Sequence, residues 1–169
     1  VNAYNSIASI FEVSSRPVLK ILADATPELA SQQAKALQFE QSTEDWQELV
    51  NHPEVDVVDI TAPNHLHHPI AVAALNLGKP VYCEKPLACT LAEAEEMANL
   101  AKAQQISTLV GYNYLQNPLM KTAREIVQSG EIGEPISFRG VHAEDYMANP
   151  LSPYTTRLDT SQGGGVLYD

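Results

Sequence analysis

The chain has 169 residues, 44% of them hydrophobic, which suits one folded domain or one domain with part of another. Its net charge of −11, with no basic cluster, argues against nucleic acid and against an anionic membrane surface as partner. No apolar stretch approaches a membrane span, no signal pattern opens the chain, and two cysteines, Cys83 and Cys89, make no disulfide framework, which suggests a reducing, cytoplasmic setting.

Ala3, Ile7, Ile10 and Phe11 recur at helical spacing. Residues 1–11 therefore read as the end of a helix, uncapped at its start, and imply chain upstream. Pro17 breaks that pattern, and residues 18–23 form a strand candidate ended by Asp24. Thr26-Pro27-Glu28 is a helix start, with proline at the first helical position, and the helix is expected to run to about Ala36. A short strand is expected over 37–40. Ser42 or Thr43 then caps a helix that buries Trp46, Leu49 and Val50.

Residues 55–61 are a β-branched run and a good buried strand. A turn over 62–65 leads into a helix over 66–77, closed by Gly78. The next strand spans 81–83. A helix follows over 90–104, with Leu91, Ala94, Met97, Ala98 and Ala101 expected on its inner face, and then a strand over 108–112. Strands alternating with helices predict an α/β fold, a Rossmann-like doubly wound parallel sheet. From Pro118 the pattern changes. One amphipathic helix leads to a single long strand over 136–146, a polar loop over 149–162, and a helix opening at 163–169. We expect a cofactor-binding domain over 1–116 and the start of an α+β domain over 117–169.

The stretch Val81-Tyr82-Cys83-Glu84-Lys85-Pro86-Leu87 carries the strongest chemical signal. A lysine at the carboxyl end of a buried strand lies where ligands of open α/β sheets collect. As a cation, which Glu84 beside it would favour, Lys85 would stabilise a developing alkoxide; the plainer alternative is a surface Glu-Lys pair before a proline. Asp24 at the end of an early strand suits the adenosine ribose hydroxyls and disfavours a 2′-phosphate, so NAD is preferred to NADP. The plainer alternative is a turn-opening aspartate. Tyr112 and Asn113 follow the last parallel strand at the same edge and are substrate-contact candidates. His142 shares a strand face with Glu144 and either reaches substrate or faces solvent. His65, His67 and His68 crowd one turn but lack acid or cysteine partners at ligand spacing, so no metal is expected. The plain alternative has His67 packing at a helix start and its two neighbours in solvent.

Several motifs then occur in order: Thr61-Ala62-Pro63-Asn64-His65-Leu66-His67, Gly78-Lys79-Pro80-Val81-Tyr82-Cys83-Glu84-Lys85-Pro86, Gly111-Tyr112-Asn113, Gly130-Glu131-Ile132-Gly133 and Gly163-Gly164-Gly165-Val166-Leu167-Tyr168-Asp169. The set resembles the Gfo/Idh/MocA family of NAD(P)-dependent oxidoreductases, which includes inositol, glucose and other sugar or polyol dehydrogenases. The resemblance implies a Rossmann-like domain followed by an α+β domain with a mostly antiparallel sheet that often mediates dimers or tetramers. It also implies that Lys85 contacts both nicotinamide and substrate, and that Pro63 and Asn64 line the cofactor. Asp169 matches the acid of an acid–histidine pair whose histidine falls four residues on. Asp24, Thr61, Pro63, Asn64, His67, Glu84 and Lys85 are thus assigned to the cofactor. Lys85, Tyr112, Asn113, His142 and Asp169 are assigned to a sugar or polyol substrate, with Lys85 and Asp169 catalytic. Four departures stand out. The first strand and the G-x-G-x-x-G loop between it and the first helix, expected before Val1, are missing, the pair's histidine is absent, Tyr114-Leu115-Gln116 stands where relatives often carry an arginine, and Tyr154-Thr155-Thr156-Arg157 where many carry a tryptophan.

The activity so implied is oxidation of a hydroxyl by hydride transfer to NAD, by a protein of which these residues alone would be inactive. Two alternatives remain: a redox-neutral NAD-dependent glycoside hydrolase, or a non-catalytic NAD-binding regulator.

Overall fold

A computed structural model describes the chain apart from residues 142, 144, 146–147, 156–157, 161–163 and 166–169. The first helix, α1 (Asn2–Ile10), covers most of the expected segment. Strand β1 (Ile21–Ala23) leads to α2 (Pro27–Leu37). The α2 start is built as its sequence implies: the Thr26 side chain accepts from the Leu29 amide, and Pro27 follows at the first helical position.

The helix ends differently from expectation. Gln38 adopts a left-handed conformation (φ 65°), and the Phe39 amide donates back to the Ala34 carbonyl. Residues 37–39 are therefore spent on closing the helix, and the Glu40 amide is the first to reach across, to the Leu19 carbonyl. The strand expected there begins later, as β2 (Gln41–Thr43). With 41–43 in a ladder, the cap of α3 (Trp46–Asn51) falls to Asp45, whose carboxylate accepts from the Gln47 amide at 2.8 Å. Val50 is fully buried, and Trp46 and Leu49 pack against the core.

Strand β3 (Val58–Ile60) is followed by α4 (Asn64–Asn76), which starts two residues before the expected position. Gly78 (φ +74°) lies just past its end. Strand β4 (Val81–Cys83) precedes α5 (Leu91–Gln104), whose Thr90 and Glu93 form a reciprocal capping box. The buried face of α5 is Met97 and Ala101; Leu91 and Ala98 are exposed, contrary to expectation. Strand β5 (Thr108–Val110) and a tight turn (Asn113–Gln116) lead to α6 (Pro118–Gln128).

All strand pairings are parallel, as the alternating pattern requires. They fall into a two-stranded sheet, β1-β2, and a three-stranded sheet, β3-β4-β5. In the larger sheet Val58 faces Val81, and Ile60, Cys83 and Val110 lie side by side. Helix α4 lays Ile70, Ala71, Ala74 and Leu75 into one core with Val58, Ile60, Val81, Cys83 and Met97. Alanines at 71 and 74 let α4 approach its neighbours closely.

The long strand expected over 136–146 is not seen. Among its described residues no β-pairing occurs, and Ile136, Phe138 and Val141 are 93–98% exposed. Alternating apolar residues favour a strand, but a strand forms only against a partner that takes its amides and covers one face. No described segment does either here.

Candidate active site

The parallel register brings the carboxyl ends of β3, β4 and β5 to one edge. There the ladder continues past the strands. The Glu84 amide donates to the Ile60 carbonyl at 2.9 Å, and the Gly111 amide to the Cys83 carbonyl at 2.8 Å. Glu84 and Gly111 are thereby fixed side by side. A Cβ added at Gly111 would sit 2.9 Å from both the Glu84 carboxylate and the Tyr82 hydroxyl. Glycine at this position leaves room for that carboxylate, which also accepts from the Lys85 amide at 3.1 Å.

Lys85 is half-buried and follows directly on the last of these ladder amides, joined to Pro86 through a cis peptide bond. Thr61 and Pro63 are exposed in the turn after β3, and Pro63 caps α4 with its carbonyl, which accepts from Leu66. Asn64 opens that helix. Tyr112 and Asn113 are exposed just past β5. Lys85, Glu84, Thr61, Pro63, Asn64, Tyr112 and Asn113 therefore share one edge. Asp24 ends β1 in the smaller sheet, where its amide donates to Thr43 and its carboxylate accepts from the Ala25 amide at 2.7 Å. That bond is the turn-opening role, made with one oxygen. His142 and Asp169 lie outside the described residues.

His67 is corrected. It is 1% exposed, with Nδ1 2.7 Å from the Pro86 carbonyl and Nε2 2.8 Å from the Ala62 carbonyl. Both ring nitrogens are engaged by main chain, so the ring offers no polar contact to a cofactor. His68 does not simply face solvent either: it meets Glu96 of α5 at 2.9 Å. His65 is exposed. Among the described residues, no three His, Cys, Asp or Glu side chains converge as a metal site.

A feature missed in the sequence lies beneath the motif. The Tyr4 hydroxyl of α1 donates to the Asp59 carboxylate at 2.8 Å, and Asp59 is register-paired with Tyr82. Desolvation raises the Asp59 carboxyl above its ordinary range, while the Tyr4 bond opposes the rise. Desolvation likewise raises Tyr82, helped by the negative charges of Glu84 and Asp59. Burial pushes the Cys83 thiol up to about 12, so it stays protonated and unreactive at neutral pH. The available signal was Asp59 itself, an acid inside a β-branched run.

Asp59 supplies a test. Its raised carboxyl means that the folded chain holds this proton more tightly than the unfolded chain does. Its contribution is therefore most favourable at acid pH. It falls as pH rises from the ordinary value of 3.8 through the raised one. Asp59→Asn keeps an acceptor for Tyr4 and removes the charge. It is expected to raise the Tm at neutral pH and to lose that gain as pH drops below the ordinary carboxylate range. Thermal melts across pH check this; an unchanged or lower Tm at neutral pH would contradict it.

Comparison with known proteins gives a consistent picture. The profile of an oxidoreductase family with an NAD-binding Rossmann fold matches residues 3–112, and that of the GFO/IDH/MocA C-terminal domain matches 120–169. The chain is 43% identical over 154 residues to levoglucosan dehydrogenase of Pseudarthrobacter phenanthrenivorans, covering 90% of this chain and 40% of that protein. It is 40% identical over 119 residues to inositol 2-dehydrogenase of Salmonella typhimurium, covering 66% and 33%. The solved structure of levoglucosan dehydrogenase in complex with NADH and levoglucosan superposes with a TM-score of 0.91 at 41% identity, over 99% of this chain and 46% of that one. The chain thus spans less than half the length of these relatives. The Rossmann-like layering, the strand-end lysine and these matches agree, and the chain belongs to the Gfo/Idh/MocA family of NAD-binding oxidoreductases.

Proposed function

We propose that the full-length protein is an NAD-dependent dehydrogenase that oxidises a hydroxyl of a sugar, inositol or other polyol. The observation that carries this reading is Lys85, a half-buried cation one residue past the last ladder amide, at the edge where ligands of parallel sheets bind. The polar rim of Asp24, Thr61, Asn64, Glu84 and Lys85 fits a dinucleotide lying across the strand ends. When bound, NAD accepts a hydride from the alcohol carbon.

In this reading Lys85 holds the substrate oxygen and stabilises the alkoxide as its proton leaves. Glu84, with Thr61, Pro63 and Asn64, walls the cofactor. Asp24 selects NAD through the ribose hydroxyls. Tyr112, Asn113 and His142 contact the sugar, and Asp169 orients the proton-accepting base. Residues 1–116 form the cofactor domain, and 117–169 begin a substrate and oligomerisation domain. The assembly is a homo-dimer or tetramer of the cytoplasm.

The names of the relatives set the panel: levoglucosan and inositol. Full-length protein with NAD is expected to release NADH with at least one of these. Product without net NADH would favour the redox-neutral glycosidase chemistry. Tight NAD binding with no conversion of any panel member would favour a regulatory relative.

A further inference from the structure

We propose that His67 is the positioning residue of Lys85. The inference rests on the dehydrogenase reading only for its kinetic arm. Among the described residues, His67 is the polar side chain buried in the core, and it sits in the first turns of α4. Its two nitrogens reach two different strand-end loops. Nε2 meets the Ala62 carbonyl, in the turn after β3, at 2.8 Å. Nδ1 meets the Pro86 carbonyl, directly after Lys85, at 2.7 Å. Carbonyl oxygens only accept, so the neutral ring ties one loop and the imidazolium ties both.

Lys85 is consequently pinned from both sides. Before it, the Glu84 amide is held by the Ile60 carbonyl, and its own amide by the Glu84 carboxylate. After it, the Pro86 carbonyl is held by His67. A long flexible side chain is aimed by its backbone, and after Lys85 this backbone is tethered by a side chain of a different element, the α4 helix. The same ring binds the turn carrying Pro63 and Asn64 to that tether. His67 thus sets the spacing between the Pro63-Asn64 turn and the lysine. Its buried place also means that removing it takes the ring's donor from the loop carbonyl it ties.

The test uses full-length protein as wild type, His67→Leu, His67→Gln, Lys85→Ala and the double variant His67→Leu/Lys85→Ala. Amide hydrogen exchange reads the tether without any need for activity. In His67→Leu the Lys85, Leu87 and Ala88 amides are expected to exchange faster, while the middle of α5 keeps its protection. Turnover reads the consequence. His67→Leu is expected to lower kcat by about 10²-fold, the scale of a misplaced catalytic group, with little change in substrate KM. His67→Gln, which can still donate to Pro86, is expected to recover part of that loss. The double variant is expected to be no slower than Lys85→Ala alone, because a positioning residue has nothing left to position.

Two results would overturn the proposal: unchanged exchange at 85–88, or losses that multiply in the double variant. If His67→Leu fails to fold, His67→Gln carries both measurements. If wild-type protein turns over none of the sugars, the dehydrogenase reading fails while faster exchange at 85–88 still supports the tether.

Discussion

Replacing Lys85 by alanine is expected to lower turnover of the full-length protein by about 10²- to 10³-fold, the usual cost of deleting one group that stabilises developing negative charge. NAD affinity should change only a few-fold, since the proposed cofactor contacts are spread over Asp24, Thr61, Pro63, Asn64 and Glu84 as well. The expectation follows from where the ammonium is carried. The Lys85 backbone is fixed by the Glu84 ladder bond on one side and the Pro86 carbonyl on the other. Its half-buried side chain stands beside an acid whose carboxylate is itself held by the Lys85 amide. A charge so placed costs little to reorganise when an alkoxide forms. The measurement is kcat on whichever sugar yields NADH with wild type, beside NAD binding followed by fluorescence. Turnover within a few-fold of wild type would remove Lys85 from the mechanism.

The second large effect concerns stability. Leu75 is 1% exposed on the inner face of α4, in one cluster with Ala71, Ala74, Ile60 and Val81. Leu75→Ala is expected to cost about 2–5 kcal/mol, combining lost transfer energy with the cavity left behind. Leu77 of the same helix end is 51% exposed. Leu77→Ala is expected to stay within about 0.5 kcal/mol. Urea unfolding of both variants compares them directly. Equal midpoints would mean that α4 does not anchor the core as described.

Local signals in the sequence translated well. Thr26-Pro27, Thr90 with Glu93, Asn117-Pro118 and Gly78 all end or begin helices where their chemistry says they should. Each of these decisions needs only a few neighbouring residues. The errors were nonlocal. Gln38 in a left-handed conformation carries no glycine to advertise it, so the helix end was read as a strand. Ser42, Thr43 and Asp45 are all good caps, and pairing of 41–43 with β1 decides among them. Ile136 and Phe138 alternate like strand residues but have no described partner. The gathering of Thr61, Asn64, Glu84, Lys85, Tyr112 and Asn113 at one sheet edge was legible because a parallel sheet gathers its strand ends by topology alone. The role of His67 was not. Its partners lie 5 and 19 residues away in sequence, and both are main-chain carbonyls that any residue would offer.

The ladder that overruns the strands also says something about how this site diverges. The amides of Glu84 and Gly111 are bonded to neighbouring strands, whereas the amides of the following turn bond locally, Tyr112 to Val110, Asn113 to Gly111, Leu115 to Tyr112 and Asn117 to Tyr114, and Asn117 in turn caps α6. Lys85 is thus fixed to the scaffold, while Tyr112 and Asn113 ride on a locally bonded turn. Mutations can rewrite that turn without disturbing the lysine. If the full-length protein is the proposed sugar dehydrogenase, libraries built to change its substrate would do best to begin at 112–116.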